Sequence, residues 1–313
     1  MTHLDDGALA HLRRALREPD LSGTRYELVG VAGTGGMGTV YVVQDSELGR
    51  RVALKVLDVQ DAEVEDRLRR EARVLARLEH PGIVPVHDVG RLSDGRAFYT
   101  MKLVEGERLD LYAQREVSLL ERLRVFLRIA EAVAFAHARG VLHRDLKPQN
   151  VMIGSFGEVL VLDWGLAKVS ASPDRLAVGN VGRLAGDTGE GAVLGTPGFM
   201  APEQRAGSSR DVDARADVFS LGAVLQELLP PGAPAPLDAI VRKAMSESPA
   251  GRYVSAAALA ADVARFLEGA PVSAYPENVL RRAARLAHRH RIALAILAAY
   301  VVGRALILLL THR

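Results

Sequence analysis

His143-Arg144-Asp145-Leu146-Lys147-Pro148-Gln149-Asn150 is followed, thirteen residues after Asn150, by Asp163-Trp164-Gly165. Between these stretches, Val151-Met152-Ile153 and Val159-Leu160-Val161-Leu162 predict a small β-hairpin. Such a hairpin carries Asn150 at its entrance and Asp163 at its exit, which brings two oxygen ligands together. Mg²⁺ prefers hard oxygen ligands and takes few of them from protein, so this pair is a candidate metal site. In the same loop, the Asp145 carboxylate can orient a hydroxyl, and the Lys147 ammonium can neutralise a transferring phosphoryl group.

A glycine-rich segment precedes this stretch by about a hundred residues. Gly33-Thr34-Gly35-Gly36-Met37-Gly38-Thr39-Val40 has the pattern G-x-G-x-x-G-x-V. It lies between two predicted strands and not between a strand and a helix, which argues against a Rossmann-type dinucleotide site. With no side chains in the way, the backbone N–H groups of such a loop can approach phosphate oxygens. Taken alone, the segment fits a flexible hairpin turn equally well.

Lys55 lies on the next predicted strand. Side chains alternate along a strand, so Lys55 shares a face with Ala53 and Leu57 and points inward. A buried ammonium needs a partner. Glu71 falls within the apolar stripe of a predicted helix at residues 61–79, and we predict a Lys55–Glu71 ion pair. The alternative is that each of these two groups reaches solvent separately.

The predicted secondary structure changes from strands to helices near residue 104. Five β-type runs precede that point: residues 25–32, 39–45, 51–57, 83–90 and 97–104. Helical periodicity follows it, at residues 119–138, 217–229, 236–246 and 255–267. A strand-rich lobe followed by a helical lobe predicts an α+β fold.

The motifs occur in a characteristic order: the glycine loop, Val52-Ala53-Leu54-Lys55, Glu71, residues 143–150, Asp163-Trp164-Gly165 and Ala201-Pro202-Glu203. This is the signature set of protein kinases. Residues 25–269 resemble bacterial eukaryotic-like (Hanks-type) serine/threonine protein kinases. Two further stretches resemble this family: His80-Pro81-Gly82-Ile83-Val84 and the run from Gly195 to Gln204. The resemblance implies a two-lobed protein-kinase fold, with an N-lobe at 25–103 and a C-lobe at 104–269.

The resemblance also implies ATP and Mg²⁺ as cofactors and assigns a role to each matching residue. Asp145, Lys147 and Asn150 are the implied catalytic residues, and Asn150 and Asp163 are the implied metal ligands. The glycine-loop residues that would cover the ATP phosphates are Ala32, Gly33, Thr34, Gly35, Gly36, Met37 and Gly38. Lys55, paired with Glu71, would hold the phosphates. The adenine would be enclosed by Val40, Ala53, Val84, Met101 and Met152. Backbone groups of Lys102 and Val104 would form hydrogen bonds with the edge of the adenine. Asp217 would anchor the catalytic loop, and Glu203 would pair with Arg252.

Two departures and one regulatory position accompany the resemblance. Trp164 replaces the usual phenylalanine, and the 223–251 region is short, which puts conventional substrate docking in doubt. In this family the arginine before the catalytic aspartate, here Arg144, commonly awaits a phosphate on the following segment. Thr188 is the favoured site of autophosphorylation, and the alternative is that it is an ordinary loop residue.

Three functions compete at this point. An active protein serine/threonine kinase acting on protein substrates is favoured because every signature residue is present. A membrane-tethered pseudokinase scaffold is the first alternative, although pseudokinases usually lack equivalents of Lys55, Asp145 or Asp163. A small-molecule kinase of the aminoglycoside type is the second, although such enzymes lack the Ala201-Pro202-Glu203 segment.

The charge distribution separates the last part of the chain from the rest. The 313 residues carry a net charge of +2 and no cysteine, which excludes disulfide scaffolds and cysteine nucleophiles. Residues 281–313 hold seven arginines and no acid, so the other 280 residues have a net charge of −5 (33 basic, 38 acidic). This arrangement suits anionic lipid headgroups better than nucleic acid, and no nucleic-acid partner is expected.

Residues 292–310 are apolar except for Arg304, and their length approaches the roughly 30 Å of a bilayer core. They predict a C-terminal transmembrane helix, and a buried terminal helix is the alternative. The arginine-rich flank places the kinase domain in the cytoplasm, with a single-pass anchor in the inner membrane. The predicted organisation is therefore a 1–24 extension, the kinase domain at 25–269, a basic 270–291 linker and the span at 292–310. Self-association through Gly303 and residues 298–299 is a further prediction.

Overall fold

The computed structural model describes residues 18–35, 38–56, 69, 72–164, 198–206, 212–276 and 300. A large antiparallel sheet organises the first part of the protein, and a small one lies in the second part. The larger sheet, within these residues, has the strands β1 (Tyr26–Gly35), β2 (Gly38–Asp45), β3 (Arg50–Val56), β4 (Val86–Arg91) and β5 (Ala97–Lys102). Their order across the sheet is β1-β2-β3-β5-β4, and each neighbouring pair is antiparallel.

Both faces of β3 are buried, as the alternation of its side chains predicts. Val52, Leu54 and Val56 pack against one apolar cluster with Tyr41 and Phe98. Ala53 faces a second cluster that contains Val84, Tyr99 and Met101. Lys55 is only 9% exposed, which confirms that its side chain points inward.

The predicted strand at residues 83–90 starts later than expected, at Val86. Pro85 cannot donate to a strand ladder, and Ile83 instead forms an isolated parallel bridge with Val161. The Gly82 carbonyl accepts a hydrogen bond from the Val161 amide at 2.9 Å, and the Val84 amide donates to the Val161 carbonyl at 3.3 Å. These contacts join the segment before β4 to the second lobe.

The second sheet and the helices form the other lobe. Its strands are β6 (Gly106–Arg108), β7 (Val151–Gly154) and β8 (Val159–Val161), in the order β6-β7-β8, and β7 and β8 form the predicted hairpin. The helices that the described residues form here are α1 (Leu109–Ala113), α2 (Leu119–His137), α3 (Pro202–Arg205), α4 (Ala214–Leu228), α5 (Ala235–Ala244) and α6 (Ala256–Leu267). The expected arrangement of a strand-rich lobe followed by a helical lobe is confirmed.

Helix α2 runs through the centre of the helical lobe. Ser118 and Glu121 form a capping box that fixes its start. Helices α4 and α6 and strand β8 all contact α2. The buried Arg122 donates to the backbone carbonyls of Ala113, Arg115, Val117 and Leu228. Through the last of these it holds the end of α4, where the short 229–234 connection to α5 begins.

Several predicted features lie outside the described residues. These are Gly36, Met37, Glu71, Gly165, Thr188, the 1–17 part of the extension, and all of 277–313 except Tyr300. Among the helices that are described, none has both the length and the apolar character that crossing a bilayer requires. The predicted span at residues 292–310 therefore stays a prediction.

Candidate active site

The loop that carries Asp145 is held in place from below by Asp217 on α4. One carboxylate oxygen of Asp217 accepts the His143 amide at 2.8 Å, and the other accepts the Arg144 amide at 2.8 Å. His137 Nε2 lies 2.7 Å from the first oxygen. Burial raises the pKa of Asp217, but the hydrogen bonds from His137 and the loop outweigh it and hold the pKa below its ordinary value. The predicted anchoring role of Asp217 is thus what the structure shows.

These bonds force an unusual backbone conformation on the loop. Arg144 has φ 67°, a left-handed conformation that non-glycine residues adopt rarely. Its carbonyl accepts a hydrogen bond from Gln204 Nε2 at 2.9 Å. Gln204 is a contact that sequence reasoning missed, although its place directly after Ala201-Pro202-Glu203 was a usable signal.

Asp145, Lys147 and Asn150 converge above this anchor. Lys147 Nζ lies 2.8 Å from Asp145 Oδ2. Asn150 Nδ2 donates to the Asp145 carbonyl at 2.8 Å and to Asp145 Oδ2 at 3.2 Å. The Asp145 side chain is about a third exposed, so its carboxylate is oriented by two protein groups and still faces solvent. The structure brings all three predicted catalytic residues together.

Asp163 joins the same site from the end of the β7–β8 hairpin. The Leu162 amide donates to the Asn150 carbonyl at 2.8 Å, which fixes the entrance of the hairpin against its exit. Asp163 adopts φ 46°, and its Oδ1 lies 2.7 Å from Lys55 Nζ. This ion pair connects the two lobes across the cleft. Lys55 was predicted to pair with Glu71, which lies outside the described residues, and the contact with Asp163 was not predicted.

Trp164 fills the space beneath the loop. Its side chain is fully buried, its Nε1 donates to the Val161 carbonyl at 3.3 Å, and its ring centroid lies 4.8 Å from that of His143. His143 Nε2 lies 3.0 Å from the Leu162 carbonyl, and complete burial lowers the pKa of this imidazole. The tryptophan therefore packs in the interior, as expected of a large aromatic at this position.

The predicted nucleotide-binding residues that the structure describes lie on β1, β2, β3, β5 and β7 or directly beside β4 and β5. Ala53, Val84 and Met101 share one buried cluster, with Val40 partly buried against it. The Lys102 amide donates to the Pro85 carbonyl at 3.1 Å, and Lys102 pairs with Val52 on β3. Ala32, Gly33 and Thr34 are exposed at the end of β1, Gly35 pairs with Gly38, Val104 is half-buried after β5, and Met152 is half-buried in β7.

Arg252 ties the start of α3 to the helical lobe. Its guanidinium makes a two-bond pair with Glu203, at 2.6 and 2.8 Å, and also donates to the carbonyls of Arg215, Ser246 and Glu247. Burial raises the pKa of Glu203, but the bond from Arg252 outweighs it and lowers that pKa. The predicted Glu203–Arg252 pair is present.

Comparison with known proteins agrees with this geometry. The family model for the protein kinase domain matches residues 26–256. The chain belongs to the protein kinase family. The kinase is similar to the serine/threonine-protein kinase PknD of Protochlamydia amoebophila, with 36% identity over 65% of this chain and 23% of the relative. It is also similar to the PknD of Chlamydia caviae, with 34% identity over 79% of this chain and 32% of the relative. A probable serine/threonine-protein kinase of Streptomyces coelicolor is 36% identical over 83% of this chain and 42% of that protein.

These matches confirm the resemblance to bacterial Hanks-type serine/threonine kinases. The kinase spans less than half the length of each of these curated relatives.

Proposed function

We propose that this chain is a protein serine/threonine kinase that transfers the γ-phosphoryl group of ATP to hydroxyl groups of protein substrates. The observation that carries this proposal is the convergence of Asp145, Lys147, Asn150 and the Lys55–Asp163 pair on one cleft. The names of its bacterial relatives support the choice of serine and threonine as acceptors.

The site supports transfer by positioning and charge. The Asp145 carboxylate, held by Asn150 and Lys147, accepts the proton of the attacking hydroxyl as the oxygen–phosphorus bond forms. The Lys147 ammonium neutralises charge that develops on the transferring phosphoryl group. Lys55 reaches the cleft from β3 and offers a cation to the phosphates that leave with ADP.

The oxygen ligands present fit Mg²⁺. The side-chain nitrogen of Asn150 donates to Asp145, which leaves the Asn150 Oδ1 available as a ligand. The Asp163 carboxylate is 43% exposed. Mg²⁺ takes few of its ligands from protein, so one amide oxygen and one carboxylate suffice as protein ligands. When bound, the ion neutralises phosphate charge, and Asn150 and Asp163 would hold it.

The proposal is tested by incubating the purified chain with labelled ATP, Mg²⁺ and a generic protein substrate, followed by phosphoamino-acid analysis. We expect phosphoserine and phosphothreonine, and Lys55→Met should abolish both. Labelling of an aminoglycoside but of no protein would contradict the proposal. No labelling at all would favour a pseudokinase scaffold.

Membrane anchoring is a second part of the proposal and rests on the sequence. The apolar run at 292–310 follows a basic stretch with Arg281, Arg282, Arg285, Arg289 and Arg291. We expect the full chain to stay in the membrane pellet after an alkaline carbonate wash. Release into the supernatant would contradict the anchor and leave the catalytic proposal intact.

Autophosphorylation at Thr188 is a third part. Arg144 lies directly before Asp145, is half-buried, and its Nε has no hydrogen-bond partner within the described residues. A phosphate is the kind of group that such a guanidinium binds. Phosphopeptide mapping of active enzyme should recover phosphorylated Thr188, and recovery of that peptide wholly unmodified would contradict this part.

A further inference from the structure

Asp262 on α6 binds the turn through which the chain leaves the helical lobe. The Asp262 carboxylate is fully buried and accepts five hydrogen bonds from other residues. Three come from the turn: the Ser273 amide at 2.9 Å, the Ser273 hydroxyl at 2.7 Å and the Ala274 amide at 3.1 Å. The other two come from Tyr253 Oη and Arg265 Nη1, each at 2.8 Å. We call residues 272–275 the exit turn.

The exit turn presents a buried end and an exposed end. Val272 is 7% exposed and packs into the main apolar core, whereas Ser273 is exposed to solvent. The Tyr275 amide donates to the Val272 carbonyl at 3.1 Å and closes the turn. Lys243 Nζ lies 3.4 Å from the Ser273 hydroxyl on the side away from the core. Ser273 is thus an exposed residue whose hydroxyl donates to a buried anion.

We propose that Ser273 is a phosphorylation site and that its phosphorylation opens the exit turn. This rests on the proposed function, which supplies both the phosphoryl donor, ATP, and the base. The Ser273 oxygen forms a bond to the γ-phosphorus, the bond from that phosphorus to the β,γ-bridging oxygen breaks, ADP leaves, and the hydroxyl proton passes to the base of the kinase. The product places a phosphate of about −2 charge where a hydroxyl now donates to Asp262.

The buried Asp262 carboxylate opposes a second negative charge at the position of the Ser273 hydroxyl. Burial raises the pKa of Asp262, but the hydrogen bonds from Ser273, Tyr253 and Arg265 outweigh it and lower that pKa to about 2, so the carboxylate keeps its charge. Phosphorylation also removes the hydroxyl proton that the 2.7 Å bond uses. The attraction between Ser273 and Asp262 therefore becomes a repulsion between two anions.

Two cations lie close enough to bind the phosphate once it leaves Asp262. Lys243 Nζ is 4.3 Å from the centroid of the Tyr253 ring, and the Arg265 side chain is half-exposed. Both face a cavity of about 220 Å³ beside the exit turn, which Val254 and Ala258 also line. Ser273 lines the same cavity and Lys243 Nζ already lies 3.4 Å from its hydroxyl, so contacts with these cations offset the loss of the bond to Asp262.

Opening changes how the catalytic domain is connected to the C-terminal part of the chain. The exit turn leads into residues 277–313, which include the basic stretch at 281–291. While Asp262 holds the turn, the direction in which the chain leaves the domain is fixed. Phosphorylation releases this constraint on the exit turn.

Hydrogen exchange tests the opening step without relying on kinase activity. Phosphoserine is incorporated at position 273 of the full chain by genetic code expansion, and exchange of the Ser273 and Ala274 amides is followed by mass spectrometry. We expect exchange at least roughly tenfold faster than in the unmodified chain. In Ser273→Ala, which keeps both amide bonds to Asp262, exchange should rise much less. Unchanged or slower exchange in the phosphorylated chain would show that Lys243 and Arg265 hold the turn closed, and would overturn the proposal.

A second experiment tests modification itself. The wild-type chain is incubated with ATP, Mg²⁺ and a generic protein substrate in one reaction, and Asp145→Asn protein is added as an additional acceptor. We expect phosphate on Ser273 in both chains. If the generic substrate is labelled and Ser273 stays unmodified, the site is wrong while the proposed function stands. If nothing is labelled, the proposed function fails and this inference fails with it.

Discussion

Asp217 is the residue on which the geometry of the catalytic loop depends most. It is 1% exposed and accepts two backbone amides of the loop as well as His137. In Asp217→Asn an NH₂ group replaces one carboxylate oxygen. At least one buried donor that now bonds Asp217 then loses its acceptor. We expect the free energy of unfolding to fall by roughly 3 kcal/mol. Urea unfolding followed by Trp164 fluorescence measures it.

The matched control for this change lies at the start of the same helix. Asp213 caps α4 by accepting the Arg215 amide, and its side chain is 62% exposed. Asparagine caps helices about as well, so Asp213→Asn should change stability by less than about 0.5 kcal/mol. Equal losses for the two variants would contradict the anchoring role of Asp217.

His143 makes stability depend on pH. Its burial lowers the pKa, while in the unfolded chain it titrates near 6.5. Between the pKa of His143 in the folded chain and that in the unfolded chain, the unfolded chain binds one more proton. The free energy of unfolding is therefore unaffected by His143 above pH 6.5 and falls as pH decreases below it. One proton corresponds to about 1.4 kcal/mol per pH unit. In His143→Gln this part of the pH dependence should disappear.

The measurement is urea unfolding at several pH values between 8 and 5. Trp164 is the only tryptophan of the chain and lies 4.8 Å from the His143 ring, so its fluorescence reports on this region. The other histidines contribute equally to both proteins and cancel in the comparison. Identical pH profiles for wild type and His143→Gln would show that the buried His143 ring does not contribute to the pH dependence of the free energy of unfolding.

At the scale of elements, Arg252 is what attaches α3 to the lobe below it. A lysine at this position offers one ammonium where the guanidinium makes a two-bond pair with Glu203 and reaches three carbonyls. We expect Arg252→Lys to cost roughly 2–3 kcal/mol, because buried acceptors lose their donors. Hydrogen exchange in residues 198–206 should accelerate in parallel.

The control is Arg242→Lys on α5, because Arg242 is exposed and its side chain makes no hydrogen bond or ion pair within the described residues. Its stability should change by less than about 0.5 kcal/mol. If Arg242→Lys and Arg252→Lys behave alike, the pair with Glu203 does not attach α3.

The elements were predictable where one physical signal dominated. The alternation of β3 placed Lys55 inward, and the period of α2 located a helix whose observed end is one residue from the predicted one. Strand β4 was predicted too long because Ile83 and Val84 favour β structure, while Pro85 interrupts the ladder. The local pattern carries no information on which lobe a flanking segment joins.

The site was predictable from motifs, but its contacts were not. Asp145, Lys147 and Asn150 were expected to meet, and they do. Asp163 follows Leu162, whose amide bonds the Asn150 carbonyl, and its carboxylate contacts Lys55. The Lys55–Asp163 pair and the Gln204–Arg144 bond join residues 108 and 60 positions apart. Such contacts depend on how the lobes close and how α3 packs, and no periodicity in the sequence reports either.

The whole molecule combines an acidic catalytic body with a basic final stretch, and its lobes meet at the cleft that Lys55 and Asp163 bridge. The central claim is that this cleft transfers phosphoryl groups and that Asp145 performs the proton step. A variant that keeps nucleotide binding while losing transfer separates these two properties. Asp145→Asn is that variant, because the Asp145 carboxylate contacts Lys147 and Asn150 and none of the residues predicted to enclose the adenine.

The most direct test measures, for each protein, the rate of phosphate transfer to a generic protein substrate and the dissociation constant for ATP with Mg²⁺. We expect Asp145→Asn to lose roughly 10²–10⁴-fold in rate while its dissociation constant changes by less than about threefold. Asp238→Asn, an exposed position at the start of α5, should match wild type in both. Wild-type transfer by Asp145→Asn, or no transfer by the wild-type chain that binds ATP, would contradict the account.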